Sequence, residues 1–352
     1  MARTIRRLFT LSLVLVLAAI GYYTYGFVQF ANNIQSKPET TKFSAISTKK
    51  TGGADTHAPP KWEGKERVNI LLLGGDSRGL TKNEAPRSDS MMVVSVDPVT
   101  KKAVLFSILR DTYVKVPGHG GERINTALAI GGPNLAMKSA GELLGIPIQY
   151  YVYTDFEGFM ALVDAMGGIE LEVEKDMKYR DSVEPEYDID LKKGVQHLNG
   201  KTALQYVRFR HDALSDFSRT ERQRKFMAAV AQEMKSTGSL IRLPIILRSI
   251  DPYIETNLNT TDMLKLGALA LEVKTEGMPS KQVPPAELLV EKRVGGAAVI
   301  TASTDKLHRY VQDVFAGKDP FAKPEKTTSA AAAGNAGAGG ASGAGSSTGA
   351  KK

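Results

Sequence analysis

Twenty-three consecutive residues from Leu8 to Phe30 carry no charge. At about 1.5 Å per residue, a helix of that length crosses a hydrocarbon core of roughly 30 Å, so this stretch is predicted to span a membrane. Residues 31–66 are rich in Lys, Thr, Ser, Gly and Pro and lack apolar periodicity, which predicts a flexible linker with Trp62 docking at its end. Val68 to Leu73 is a nearly continuous apolar run closed by Gly74 and Gly75, the pattern of a strand buried on both faces. Met91–Val96 and Ala103–Ile108 read as two more strands joined like a hairpin through the turn chemistry of Asp97 and Pro98. Further strands are expected at Tyr113–Val116, Ile148–Tyr153, Ile169–Val173 and Ala298–Thr301.

Helical periodicity falls at Ile124–Ile130, Asn134–Leu144, Phe156–Met166, Gly200–Tyr206, Arg219–Lys235, Leu240–Ile250 and Asp262–Val273. Thr154 with Glu157 three residues on gives a capping-box signal for the helix at Phe156. Strands alternating with helices predict an α/β (α+β) fold, and the hairpin-like pair makes the central sheet mixed and flanked by helices. The expected organisation is a cytoplasmic N-terminus (1–7), a transmembrane helix (8–30), a linker (31–66), one domain (67–325) and a disordered Ala/Gly/Ser-rich tail (326–352).

Arg3, Arg6 and Arg7 precede the apolar run, so the positive-inside bias places the N-terminus in the cytoplasm and the domain outside, as a single-pass protein of the cell membrane. A cleaved signal peptide is the competing reading, but the run is long for one and no small-x-small site precedes Tyr22. An extracytoplasmic domain argues against nucleic acid and nucleotide as partners. The net charge of +8 on 352 residues favours an anionic partner instead, such as anionic lipid or a phosphate-bearing polymer. With no cysteine, disulfides and thiolate chemistry are excluded, and no histidine cluster suggests zinc.

Asp76, Arg87, Asp89, Arg110, Arg208, Arg210, Asp216 and Arg219 recur in short runs beside apolar segments. Carboxylates repel phosphates unless a divalent cation lies between them, whereas guanidinium forks pair with phosphate oxygens directly, so the set reads as metal plus phosphate. Arg87 and Asp89 are two apart at a strand entrance and share a face, as do Arg208 and Arg210 if that segment is extended. Arg219 and Gln223 share a helical stripe that Phe226 and Val230 continue toward the core. Asp111, next to Arg110, suits either a general base or a structural ion pair. The apolar helices at Phe156–Met166 and Phe226–Met234 suit either a lipid groove or core packing. Arg222, Arg224, Arg242 and Arg248 are assigned to solvated surface, as is His211, and Gly74–Lys82 lacks the GxxxxGK[ST] pattern of a P-loop.

The runs GGDSRG (74–79), RSDSMMVVSVDP (87–98), SILRDTYV (107–114), RINTALAIGG (123–132), LNGKTALQYVRFRH (198–211) and DFSRTERQ (216–223) together resemble the LytR-CpsA-Psr family of membrane-anchored cell-wall glycopolymer transferases, over roughly residues 67–236. The resemblance implies a phosphotransferase that moves a glycopolymer from a polyprenyl-pyrophosphate carrier to peptidoglycan through a phosphodiester, with Mg2+ (or Mn2+). It puts the metal on Asp76 and Asp89, and the pyrophosphate on Arg87, Arg110, Arg123, Arg208, Arg210, Arg219 and Gln223. Arg110, Asp111 and Asp216 become the candidates for the chemistry itself. Leu109 in place of a proline, Arg123 in place of a lysine and a short 211–216 loop depart from the family pattern. Two other functions use the same residues: a tethered regulator or binder of anionic wall polymer without chemistry, and a pyrophosphatase with water as acceptor.

Overall fold

The computed structural model describes residues 2–34, 43, 57–76, 86–180, 185, 188–210, 215–274 and 278–321. His211, the tail and most of the expected linker lie outside the described residues.

Helix α1 (Ala2–Ile34) contains the apolar run and continues past Phe30. Its last turns are not the start of a free tether. Phe30, Ala31 and Ile34 are buried in a cluster with Trp62, Val68, Ala103, Tyr150 and Ile250, so the long apolar helix runs into the domain core. Trp62 docks as expected, 8% exposed, its indole N–H donating to the Glu66 carbonyl at 2.9 Å.

Next come β1 (Val68–Gly75), β2 (Ser88–Val96), β3 (Ala103–Ile108), the hairpin β4 (Tyr113–Val116) and β5 (Gly120–Arg123), and α2 (Thr126–Leu144). Two helices were expected where α2 stands, and the backbone does leave helical geometry between them at Gly131 and Gly132, just before Pro133, so α2 is two helices joined across a kink. β6 (Tyr150–Thr154) leads into α3 (Phe156–Met166). Asp155, not Thr154, caps α3, its carboxylate accepting from the Gly158 N–H at 3.0 Å. Thr154 is still paired with Gly74 in the sheet, so the first residue free to cap is the one after it.

The chain continues through β7 (Ile169–Val173), β8 (Met177–Tyr179), β9 (Ile189–Leu191), β10 (Gly194–Leu198), α4 (Gly200–Arg208), α5 (Ser215–Glu233) and α6 (Thr237–Ile250). β11 (Ile254–Thr256), α7 (Thr260–Glu272), β12 (Ser280–Val283), β13 (Val290–Val294), β14 (Ala297–Thr301) and α8 (Thr304–Phe315) complete the domain.

Six strands form the central sheet in the order β11-β6-β1-β2-β3-β12. β2 is antiparallel to both β1 and β3, β6 is parallel to β1, and β12 is parallel to β3, so the sheet is mixed. Every residue of β3 is buried, which requires cover on both faces. On one face Phe106 meets Phe315 of α8 edge-to-face, with centroids 5.6 Å apart. A second cluster, built from α3, α4, α5, α6 and β7–β10 around Val163, Tyr206, Phe226 and Ile246, supports the site described next.

Candidate active site at the sheet edge

The strand directions bring the carboxyl ends of β1, β3 and β6 and the start of β2 to a single edge. This is where an open sheet presents ligand groups. One sheet face floors a cavity of about 610 Å³. Its floor is two rows of cross-strand neighbours. Val152, Leu72 and Met92 are paired in register across β6, β1 and β2, and two residues further on Thr154, Gly74 and Ser90 form the next row. The first row is apolar and the second leads to Asp76 and Asp89, both of which line the cavity.

The opposite wall repeats that gradient. Along α5, Arg219, Gln223, Phe226, Met227 and Val230 face the cavity, spaced as one helical stripe with its polar residues first. Phe156, Phe159 and Leu162 of α3 add the apolar side, with Phe159 and Phe226 rings 4.9 Å apart. The inward-facing residues of these two helices line the cavity, Phe226 and Val230 while also packing in the core, and Val163 and Met166 of α3 belong to the core alone.

Arg110, Arg208 and Arg210 also reach the cavity. Arg110 Nη1 lies 2.5 Å from Asp89 Oδ1, and its Nε lies 3.6 Å from Asp111 Oδ2. Arg208 and Arg210 are not on an extended segment: α4 continues to Arg208, and the chain leaves the helix at Phe209. Arg208 stacks over the Phe156 ring at 5.0 Å. Arg219 is 3% exposed, and Gln223 accepts from the Ser90 hydroxyl at 3.2 Å, joining α5 to β2.

Other expected residues stand elsewhere. Arg87, immediately before β2, is exposed and is not among the residues lining the cavity. Arg123 ends β5 and pairs with Asp111 at 3.1 Å; neither lines the cavity. Asp111 thus lies between Arg110 and Arg123, in the ion-pair arrangement and not facing the cavity. Asp216 falls in the first turn of α5, with its side chain outside the described residues.

Arg222 was placed on the surface by sequence, and the structure overturns this. It is 2% exposed, donates from Nε to Glu174 Oε1 at 2.7 Å and from Nη1 to the Phe209 carbonyl at 2.8 Å. Burial pushes the Glu174 carboxyl up, but its backbone hydrogen bond and the Arg222 pair outweigh that, and its pKa lies below the ordinary value. Arg224 is half-buried, and that burial lowers its pKa.

Gly75 is required where β1 meets the site. The sheet register shifts between Gly74 and Gly75, and a Cβ on Gly75 would lie 2.6 Å from the Tyr153 hydroxyl. Burial, then the carboxylates of Asp155, Glu255 and Asp76, raise the Tyr153 pKa far above its ordinary value, so this phenol stays neutral.

Among the described residues no group of three or more metal-ligating side chains occurs. Two carboxylates facing a cavity nevertheless suit Mg2+, which binds proteins through one or two carboxylates and completes its shell with phosphate and water.

A mixed six-stranded sheet behind a long apolar helix, with an amphiphilic cavity at one sheet edge, defines an α/β domain suited to a ligand with an anionic head and an apolar body. The chain belongs to the LytR_cpsA_psr family, whose sequence model matches residues 23–314. It is 37% identical over 213 residues to the regulatory protein MsrR of Staphylococcus aureus, a match covering 60% of this chain and 62% of MsrR. It is 31% identical over 285 residues to the polyisoprenyl-teichoic acid–peptidoglycan teichoic acid transferase TagV of Bacillus subtilis, covering 80% of this chain and 69% of TagV. The crystal structure of B. subtilis TagV superposes with a TM-score of 0.60 at 28% identity, over 71% of this chain and 97% of that one. A structure of the B. subtilis family protein YwtF (TagT) with bound octaprenyl pyrophosphate lipid gives a TM-score of 0.54 at 25% identity, over 74% and 96%.

Proposed function

We propose that this chain is a membrane-anchored, Mg2+-dependent (or Mn2+-dependent) phosphotransferase that moves a glycopolymer from a polyprenyl-pyrophosphate carrier to peptidoglycan, with α1 spanning the cell membrane and the domain outside. The observation that carries the reading is the shared gradient of floor and wall: cations and carboxylates at one end of the cavity, aliphatic and aromatic side chains along the rest. A polyprenyl pyrophosphate has the same division into doubly anionic head and hydrocarbon tail, and a relative binds octaprenyl pyrophosphate. α1 is long and apolar enough to cross a bilayer, and three arginines precede its apolar run.

Arg110, Arg208, Arg210 and Arg219 would grip the pyrophosphate oxygens, and Gln223 would hold its edge. Asp76 and Asp89 would hold the cation, which supplies neutralisation of the charge that builds on the leaving phosphate. The acceptor hydroxyl attacks the phosphorus that bears the glycan and forms a new P–O bond. The P–O bond to the bridging oxygen breaks and polyprenyl phosphate departs with its electron pair. Over the reaction the hydroxyl proton ends on the released phosphomonoester or in solvent. Asp111 acts through Arg110, pairing with its guanidinium from behind while Arg123 holds the Asp111 carboxylate in place.

The relative named as regulatory favours a second reading, a tethered regulator or polymer binder without chemistry. Asp76 and Asp89 argue for the first, because a pure polyanion binder gains nothing from carboxylates among its arginines. The test is extraction of the full-length protein from its host membrane and mass spectrometry of what remains bound, followed by incubation with peptidoglycan. A bound polyprenyl-pyrophosphate glycan that passes to peptidoglycan supports the transferase. Bound glycan that is never transferred supports the binder, and release to water alone supports a pyrophosphatase.

A further inference from the structure

We infer that α6 is a second membrane-contacting element, dipping into the outer leaflet beside α1 at the headgroup–acyl boundary. The inference rests on the reading of α1 as the anchor. Tyr23 of α1 donates its hydroxyl to the carbonyls of Leu240 and Ile241, at 3.3 and 2.8 Å. Three residues on, a Cβ at Gly26 would sit 3.2 Å from Pro244 Cβ, and at the end Asn33 donates to Asp251 at 2.6 Å. The sequence offset between partners is 217 or 218 at both hydrogen-bonded ends. The two helices therefore run side by side in the same direction at the same rise.

That fixed offset transfers depth from one helix to the other. Ile241 stands level with Tyr23, Ile245 with Phe27, and Arg248 with Phe30. From Tyr23 to Phe30 is about 10 Å along the axis, within the outer half of a hydrocarbon core of roughly 30 Å. Tyr22, Tyr23 and Tyr25 mark the aromatic belt at this level.

The outward stripe of α6 fits such a setting. Ile241 is 65% and Ile245 54% exposed, while Arg248, one turn higher, lies with Gln29, Phe30 and Asp251 around a small cleft at the level where lipid phosphates sit. The deep end of the helix is closed by protein: Ser236 Oγ accepts from the Ser239 N–H at 3.1 Å, and both hydroxyls donate to Glu233. Arg242, also exposed, has its guanidinium tied to the Met166 carbonyl at 3.4 Å. Water-facing isoleucines on a helix bonded to the anchor find in the acyl boundary the apolar cover they lack in the domain. Because α6 also packs on α3, whose phenylalanines line the cavity, the same contact holds the cavity wall against the bilayer.

The chain has no cysteine, so single substitutions can carry one environment-sensitive fluorophore each. Ile241→Cys, Ile245→Cys, Leu15→Cys and Lys292→Cys would be labelled in the full-length protein and placed in phosphatidylethanolamine–phosphatidylglycerol vesicles containing lipids with nitroxide-bearing acyl chains. The expected result is loss of fluorescence at Ile241 and Ile245 comparable to that at Leu15, with none at Lys292 in the β13–β14 hairpin. Quenching at Leu15 with Ile241 and Ile245 still open to aqueous iodide would overturn the inference and leave the anchor intact. Labels at α6 shielded from both quenchers would overturn it in favour of a protein contact, such as a second copy. An unquenched Leu15 would remove the anchor reading and the inference together.

Discussion

The Arg222 guanidinium donates to the carbonyl of Phe209 at 2.8 Å, so a buried side chain holds from behind the one residue that separates Arg208 from Arg210. The same guanidinium stacks against the Phe209 ring at 5.1 Å and pairs with Glu174. Two cavity arginines thus depend on a third that does not line the cavity.

Replacing Arg222 by alanine should remove that support. The expected loss of stability is about 2–3 kcal/mol, less than for a fully buried pair because Glu174 keeps solvent contact. Arg222→Lys should restore part of the stability but little of the activity, since an ammonium cannot serve Glu174 and Phe209 in one plane. Chemical denaturation beside a transfer assay separates the two; equal recovery of both would contradict a positioning role.

Glu174 also predicts a pH dependence. Its pKa is lowered in the fold, so the stability it contributes is complete above the ordinary value of 4.5 and disappears as pH falls through the lower, folded value. Thermal melts of the wild type should lose this contribution on acidification below pH 4.5. Glu174→Gln should flatten that part of the profile, and parallel curves for the two proteins would rule Glu174 out as its source.

Arg110→Ala and Arg208→Ala should each lower turnover roughly 100- to 1,000-fold if their forks hold charge in the transition state. Circular dichroism should show the domain folded in both. Full transfer by either folded variant would remove that arginine from the phosphate site.

Chelation should stop turnover and added magnesium restore it, with Asp89→Asn raising the magnesium concentration needed for half-maximal rate. Full activity in EDTA would deny the two carboxylates a metal.

Gly75→Ala should cost about 1–3 kcal/mol by driving a methyl into the Tyr153 ring edge. The double variant with Tyr153→Phe should recover part of that, because the hydroxyl is the nearest atom. No difference between single and double variants in urea titration would place the strain elsewhere.

The central strands were legible because Val68–Leu73, Met91–Val96 and Ala103–Ile108 are apolar on both faces, a pattern few alternatives produce. β12 was not legible: Ser-Lys-Gln-Val carries no alternation and becomes a strand through its pairing with Leu105–Ile108. α8 was overlooked although Leu307, Tyr310, Val311 and Val314 supply a helical stripe that all turns inward. The cavity residues from β1, β2, β3 and α5 could be read from their places at strand ends and along one stripe. Arg222 could not, because a cation one residue from a cavity-facing glutamine looks solvated until Glu174, 48 positions earlier, is brought beside it. For Asp111 the sequence left a general base and an ion pair open, and the ion pair became legible only when the β4–β5 hairpin brought Arg123 beside it.

Phe30, Ala31 and Ile34 share their burial with Trp62, Val68 and Ile250. A soluble fragment trimmed back to residue 35 would therefore carry a raw greasy scar where its stalk had been, and would tend to clump in dilute buffer. Fragments meant for assay or crystallisation keep better manners if they retain the last three turns of that stalk.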